Sequence, residues 1–346
     1  MSWDALIHWS QSEFSHLPWR KHRTLYRTLV SEIMLQQTTV STVLNHFERF
    51  CATFPDLPAL ARASEEELLV AWKGLGYYRR ARSLKAIAEA LHADHGGEFP
   101  HDLEALMQIK GIGPYTANAL VGIGMDRPAL AVDANLERVL ARLLGLPTPK
   151  GLKLQKQLAQ LFLEKKIFPK KALSPRALNE ALMDLGRTIC QARRAACELC
   201  PLKRECLAHK SGRPLSFPRE TGEKKARAQE HEVTLARFVV RRGDEVLCYQ
   251  KAAGEWLAGQ WELPTLTLES SDASFAQYAA LEQKLELADH PVVVTGITKY
   301  KIRNVVVSLG ERELRRIFKR ELAWRHASDA AANLSTASQK CLAALA

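Results

Sequence analysis

A chain of 346 residues, 47% hydrophobic and 25% charged, is long enough for two or three domains and a sizeable core. No run approaches the ~20 apolar residues of a membrane helix, and Met1–Ser15 lacks the basic start and apolar stretch of a secretion signal, so a reducing cytosol is the expected compartment. The formal net charge of +11 is uneven, with 29 basic against 21 acidic side chains in 1–210, 5 against 3 in 211–230 and 15 against 14 in 231–346, so the excess on the first part favours a polyanionic partner.

Residues 1–210 are predicted to be helical. Apolar side chains recur every three or four residues, as in Leu25, Leu29, Ile33 and in Leu136, Val139, Leu140, Leu143. Ser64 with Glu67 is a capping box, and breaks at Phe54–Pro58, Phe99–Pro100, Pro147–Pro149 and Phe168–Pro169 divide the segment into short helices. Within them Glu32 stands between Leu29-Val30 and Ile33-Met34-Leu35. A carboxylate in such a setting is either paired in the core or held protonated for acid catalysis.

The stretch Leu106 to Ala117 joins two helices through Gly111-Ile112-Gly113-Pro114, a turn that exposes N–H groups at a helix start. It is either a plain tight turn or a phosphate cradle. Further on, Asp133 and Asn135 interrupt an apolar run, and the default role of Asp133 is an N-cap. A helix containing Asn179 to Thr188 leads into Cys190, Cys197, Cys200 and Cys206, spaced C-x6-C-x2-C-x5-C. Four thiolates this close point to a metal centre, and the uneven gaps suit an iron–sulfur cubane better than the paired knuckles of zinc sites. The alternatives are buried thiols or two disulfides, and the latter require an oxidising compartment.

Ser211 to Glu230 is rich in Ser, Gly, Pro, Lys and Glu and is predicted to be a linker. Beyond it, Val233–Val240, Val246–Gln250, Val292–Thr295 and Val305–Leu309 are predicted strands, with Phe275–Leu287 and Leu334–Leu345 helical. Residues 231–346 are therefore expected to be a separate α+β domain.

Taken together these pieces resemble a known superfamily. Gly111–Gly113, Pro114 and Asp133 are similar to the helix-hairpin-helix, Gly/Pro-rich loop and aspartate of DNA glycosylases, and the cysteine spacing to their iron–sulfur loop. Pro18-Trp19-Arg20, Ser31 to Thr38 (SEIMLQQT) and Gly74-Leu75-Gly76-Tyr77-Tyr78 resemble, more specifically, the MutY-type adenine DNA glycosylases, which remove adenine mispaired with 8-oxoguanine. The resemblance covers 1–210 closely and 231–346 loosely. It implies an all-α glycosylase domain (1–210, hairpin about 106–120, cluster loop 190–206), a linker (211–230) and a Nudix-like α+β lesion-recognition domain (231–346).

By the same resemblance Glu32 is the acid that protonates the adenine and Asp133 the carboxylate that stabilises the sugar cation, with Tyr115 and Asn135 flanking it. Glu32, amid apolar residues, is expected to have a raised pKa, and Asp133, beside helix amides, to stay ionised. Endonuclease III carries a Schiff-base lysine where Tyr115 stands, so base removal without efficient strand cleavage is implied. Gln37 and Tyr77 match the side chains that enter the base stack; Arg20 and Glu180 match groups that bond the flipped base, and Gly111 and Gly113 match the phosphate-binding turn. Tyr78 is expected to be core. One [4Fe-4S] cluster on Cys190, Cys197, Cys200 and Cys206 is implied, as are a monomer and a duplex partner containing 8-oxoguanine:A or G:A, in a bacterial cytosol.

Gly259-Gln260-Trp261-Glu262-Leu263-Pro264 looks like the Gly-x-Trp-Glu-Phe-Pro signature of the family's Nudix-like domain, but no run of metal-binding glutamates follows, so binding rather than hydrolysis is expected. Where many members probe the lesion with Phe-Ser-His or Phe-Thr-His, this chain has Ile297-Thr298-Lys299. Thr298 keeps a hydroxyl, and Lys299 is placed to reach a phosphate. The rival readings are a bifunctional enzyme acting on oxidised pyrimidines, against which Tyr115 and Gln36-Gln37 stand, and a non-catalytic damage sensor, against which Glu32 and Asp133 stand.

Overall fold

The structure, a computed structural model, describes residues 2–164, 166–167, 174–219, 230–282, 289–328 and 333–345. The chain divides into two compact units, Met1–Ala63 with Arg79–Lys224 and Ser64–Tyr78 with Lys225–Ala346.

The first unit is helical. In chain order it contains α1 (Trp3–Phe14), α2 (Pro18–Lys21), α3 (Leu25–Leu35), α4 (Val40–Leu44), α5 (Phe47–Thr53) and α6 (Leu57–Arg62). Helix α7 (Glu65–Trp72) belongs to the second unit; α8 (Arg79–Asp94), α9 (Leu103–Gln108), α10 (Pro114–Ala119), a π-helical turn (Leu120–Gly124), α11 (Ala134–Leu143), α12 (Leu152–Leu163), α13 (Pro175–Thr188) and α14 (Leu207–Lys210) return to the first. One apolar cluster gathers Leu6 from α1, Leu136 and Leu140 from α11, Leu154 and Leu158 from α12, and Leu178 and Leu182 from α13, all fully buried. The start of α11, where Asp133 caps the helix, and the exit of α13 toward the cysteines are thus anchored by one core.

The second unit carries two sheets. The first has strand order β5 (Thr265–Ser270), β1 (His231–Val239), β7 (Tyr300–Ser308), β6 (Val292–Ile297), with β1 and β7 parallel from His231↔Tyr300 to Val239↔Ser308 and the other pairs antiparallel. The second joins β2 (Arg241–Arg242), β3 (Glu245–Gln250) and β4 (Trp261–Glu262), with β8 (Ala323–His326) on β3. Helices α15 (Glu311–Ile317) and α16 (Thr336–Ala343) complete it. Glu262, from the Trp-Glu motif, is buried and takes Arg237 Nη1 at 2.7 Å and the hydroxyls of Tyr249 and Tyr278 at 3.3 and 3.2 Å, with Lys251 Nζ 3.5 Å away. An ion cluster of this kind is a structural hub, because the buried carboxylate is matched by Arg237 and two hydroxyl donors, with a second cation, Lys251, beside it.

Three expectations change. Ser64–Tyr78 groups with the C-terminal residues, where 1–210 was expected in one piece; Tyr78 and Gln260 share a side-chain hydrogen bond inside this unit. The capping box fixes where α7 starts, since Ser64 N donates to Glu67 Oε2 and Glu67 N to Ser64 Oγ, but a cap does not select the face that α7 packs on. The helix expected from Phe275 is not formed up to Glu282. Phe275 and Tyr278 turn into an aromatic group with Trp256 and Tyr300, and Ala280 bridges Thr267, so three-residue spacing here comes from turns; residues 283–288 lie outside the described residues. Finally, residues 211–219 pack on the first unit, with Arg142 Nε donating to Phe217 O and Arg219 N to Pro147 O, while 220–229 of the expected linker and the Phe168–Pro169 break lie outside the described residues.

Candidate active site and cysteine cavity

Glu32 lies in the last turn of α3 and is 6% exposed. Tyr115, in the first turn of α10 after Pro114, donates its hydroxyl to Glu32 Oε2. Burial drives the Glu32 carboxyl up to about 7 against that hydrogen bond, the charges of Asp133 and Glu180 push the same way, and Arg20 opposes them. Burial, followed by the charge of Glu32, holds the Tyr115 phenol well above its ordinary range. Asp133 is indeed the N-cap of α11. Its Oδ1 accepts from Asn135 N at 2.9 Å and Leu136 N at 2.7 Å, and its Oδ2 from Asn135 Nδ2 at 2.8 Å. Glu32, Tyr115 and the Asp133–Asn135 pair, from three separate segments of the chain, thus form one constellation of a protonatable acid and a second carboxylate oriented by three N–H groups.

Arg20 and Glu180 also meet, with Nε 3.6 Å from Glu180 Oε1, but each is held by a residue the sequence analysis passed over. Arg23 grips Glu180 bidentately at 2.6 and 3.0 Å. Asp184, one turn beyond Glu180 and 2% exposed, takes Arg20 Nη1 at 2.9 Å, Ser10 Oγ at 2.6 Å and Arg187 Nη2 at 3.0 Å.

Gln37 and Tyr77 have φ of +56° and +48°, left-handed conformations that cost a non-glycine residue energy. Tyr77 belongs to the second unit and is 49% exposed. At the hairpin, Gly111 needs its glycine twice over, through φ +102° and because a Cβ would lie 2.9 Å from Ser83 Oγ. Gly113 is different: its φ is −90° and a Cβ would meet nothing within 4 Å.

None of the seven cysteines is in a disulfide. Cys190, Cys197, Cys200 and Cys206 line a single small cavity together with Arg142, Lys203 and His209. Among the described residues no group of three or more His, Cys, Asp or Glu converges tightly enough to hold a metal ion. Burial pushes the Cys200 thiol up to about 12 and raises Cys197 and Cys206. Two buried arginines of α11 brace the loop. Arg142 donates to Cys190 Sγ at 3.3 Å and to Gln191 O and Ala192 O, and Arg138 donates to Cys190 O, Gly186 O and Asn135 Oδ1. Arg138 therefore links the cysteine loop to the residue that orients Asp133.

In the second unit Thr298 is exposed at the tip of the β6–β7 hairpin, with φ +51° in a β-branched residue. Lys299 is not free for a phosphate: its Nζ is 3.0 Å from Asp272 Oδ2, which also accepts from Tyr300 Oη at 2.5 Å. The Asp272 carboxyl is held far below the usual range by Ser274, Tyr300 and Lys299, in that order.

Residues 30–164 match the HhH-GPD superfamily of base excision DNA repair proteins. Against adenine DNA glycosylase of Mycobacterium tuberculosis the chain is 34% identical over 220 residues, 63% of this chain and 71% of that protein. The chain belongs to the adenine DNA glycosylase family. The human family member is 30% identical over 341 residues, 84% of this chain, and the chain spans 62% of its length and 64% of the rat protein's. Among solved structures, a thermostable thymine-DNA glycosylase is similar at TM-score 0.53 and 26% identity, covering 60% of this chain and 95% of that one. A trapped endonuclease III–DNA covalent intermediate is similar at 0.50 and 26%, covering 60% and 96%.

Within this adenine glycosylase framework, the residues missed by sequence were mostly visible as polar interruptions of apolar helices. Asp184 sits in Ala-Leu-Met-Asp-Leu-Gly, as Glu32 sits in α3, and Arg138 and Arg142 share one face of α11 at i, i+4. Arg23 carried no such signal, since it lies outside any periodic segment.

Proposed function

We propose that this protein is a monofunctional glycosylase that hydrolyses the N-glycosidic bond of adenine paired with 8-oxoguanine or guanine in duplex DNA. The observation that carries the reading is Glu32: a buried carboxyl raised to about 7, fixed by Tyr115 and facing a second carboxylate held by N–H donors. An acid with that pKa keeps its proton near neutrality and can pass it to a departing base. Asp133, oriented by Asn135, is suited to the positive charge that grows on the sugar as the base leaves. Tyr115 cannot form a Schiff base, which supports hydrolysis without lyase chemistry.

Arg20 and Glu180 would contact the extruded base, and Gln37 and Tyr77 would fill the gap in the stack, offsetting a flipping cost of a few kcal/mol. Gly113, whose missing side chain no neighbour inside the protein requires, suits close approach of a phosphate to the hairpin backbone. Residues 231–346 we assign as a Nudix-like lesion reader in which Thr298 is the presented group. Cys190, Cys197, Cys200 and Cys206 fit one [4Fe-4S] cluster. Four sulfurs around a cavity without convergence on one point suit a centre taking one sulfur per iron better than a single zinc at about 2.3 Å. The buried Arg142, bonded to carbonyls and Cys190 Sγ, gains its counter-charge from such an anionic cluster. The cluster supplies structure, holding the loop with Arg193, Arg194, Lys203 and Arg204.

Single-turnover assays on duplexes with 8-oxoguanine:A, G:A and thymine glycol, with and without alkali, test this. Adenine release with strand breaks only after alkali is expected; release from thymine glycol, or breaks without alkali, would overturn it.

A further inference from the structure

We infer that Arg80 is a positioning residue for base extrusion, acting through the Gln36–Thr38 turn that presents Gln37. Helix α3 ends at Leu35, and the backbone reverses through Gln36 (φ −60°, ψ 114°) into the left-handed Gln37. The last carbonyls of a helix lack partners inside it. Here a buried guanidinium from α8 supplies them: Arg80 Nη1 donates to Ile33 O at 3.0 Å, Met34 O at 2.7 Å and Gln36 O, while Nη2 donates to Thr38 Oγ1 at 2.9 Å. Arg80 is only 6% exposed, and its charge complements the negative end of α3.

One side chain therefore bonds both sides of Gln37 and leaves Gln37 itself exposed. A left-handed glutamine persists only where its surroundings over-determine it. The cap is that surrounding. A wedge offsets flipping in proportion to how far it is already ordered, because a mobile side chain loses entropy on entering the stack. Arg80 touches neither base nor sugar in this arrangement; it removes the freedom of the turn that does. The inference rests on the proposed base-flipping activity.

The test uses the full-length protein and a duplex carrying 2-aminopurine beside an adenine opposite 8-oxoguanine, whose fluorescence rises on extrusion independently of excision. Arg80→Met is expected to lower the extrusion rate and single-turnover excision by about tenfold or more. Duplex affinity should stay within about threefold, and the pH midpoint of excision should not move. Arg80→Lys should recover most of the loss, since an ammonium has three donors for the same carbonyls. Combined with Gln37→Ala, Arg80→Met should add nothing, as expected of residues acting through one another.

Additive losses, a moved pH midpoint, or unimpaired extrusion by folded Arg80→Met would overturn the assignment. If Arg80→Met does not fold, Thr38→Val removes the Nη2 acceptor together with the long 3.5 Å hydrogen bond from Thr38 Oγ1 to Gln36 O, and leaves the three Nη1 bonds to carbonyls in place. A loss of about two- to threefold that vanishes in the Gln37→Ala background supports the assignment, and its absence refutes it. Wild-type extrusion without adenine release would refute the proposed activity and leave the cap standing; no extrusion at any mispair would sink both.

Discussion

Glu32 is placed where function and stability pull apart. The protonated form is the working one, so excision should be level below a pH of about 7 and fall roughly tenfold per unit above it. Glu32→Gln should keep duplex binding, lose excision by about 100-fold or more, and abolish that limb; near-normal single-turnover excision would refute the role. The same shift has a thermal consequence. A carboxyl raised to about 7 binds its proton more tightly folded than unfolded, so stability declines as pH climbs from the unfolded value toward 7. Glu32→Gln should therefore melt higher than wild type at pH ~8.5, by on the order of 3 kcal/mol, and show no gain at pH ~4. Asp184→Asn frees Arg20 and Ser10 together; excision should drop about tenfold while the pH profile stays in place, the pattern of a misplaced base contact.

Helix α11 does two jobs with one face. Asp133 caps its start, and Arg138 and Arg142, buried one turn apart, reach the cysteine loop. If the proposed cluster is bound, Arg142→Met should lose iron on dialysis faster than wild type, read as iron per chain and visible absorbance, since the variant leaves carbonyls and Cys190 Sγ without a donor. Retention equal to wild type would show that the cysteines alone suffice. The β6–β7 hairpin offers a second element-level test. Asp272 neutralises Lys299, so Lys299→Ala should leave the salt dependence of duplex binding unchanged. Asp272→Ala should steepen the slope by about one as the freed ammonium finds a phosphate.

On the scale of the whole chain, the grouping of Ser64–Tyr78 with the C-terminal residues ties a candidate wedge, Tyr77, to the candidate lesion reader. Removing residues 231–346 should thus cost more than discrimination between 8-oxoguanine:A and G:A: it should also weaken extrusion, because the segment bearing Tyr77 loses the unit it belongs to. Gln260→Ala, which removes the side-chain hydrogen bond to Tyr78 and leaves the one to the Gly74 backbone, should reproduce part of that loss in the 2-aminopurine signal. A truncated chain with full extrusion would show that Ser64–Tyr78 is held without its C-terminal partners.

Local patterns were enough for the helical character of the first unit, the capping box at Ser64, the N-cap at Asp133, the strands at Val233–Val240, Val246–Gln250, Val292–Thr295 and Val305–Leu309, and the cysteine run, because each depends on residues within a turn or two, whereas β5 and β8 were not anticipated. Glu32 was legible because a carboxylate amid leucine and isoleucine has few explanations, and the direction of its pKa shift follows from burial, the largest of its causes. Tyr115 on its oxygen, Asp184 behind Arg20, Arg80 behind Gln37 and Asp272 on Lys299 were not, since residues 27 to 164 positions apart meet only when helices and strands pack. The helix expected from Phe275 failed for the complementary reason: up to Glu282, aromatic packing with Trp256 and Tyr300 outweighed the local helical preference.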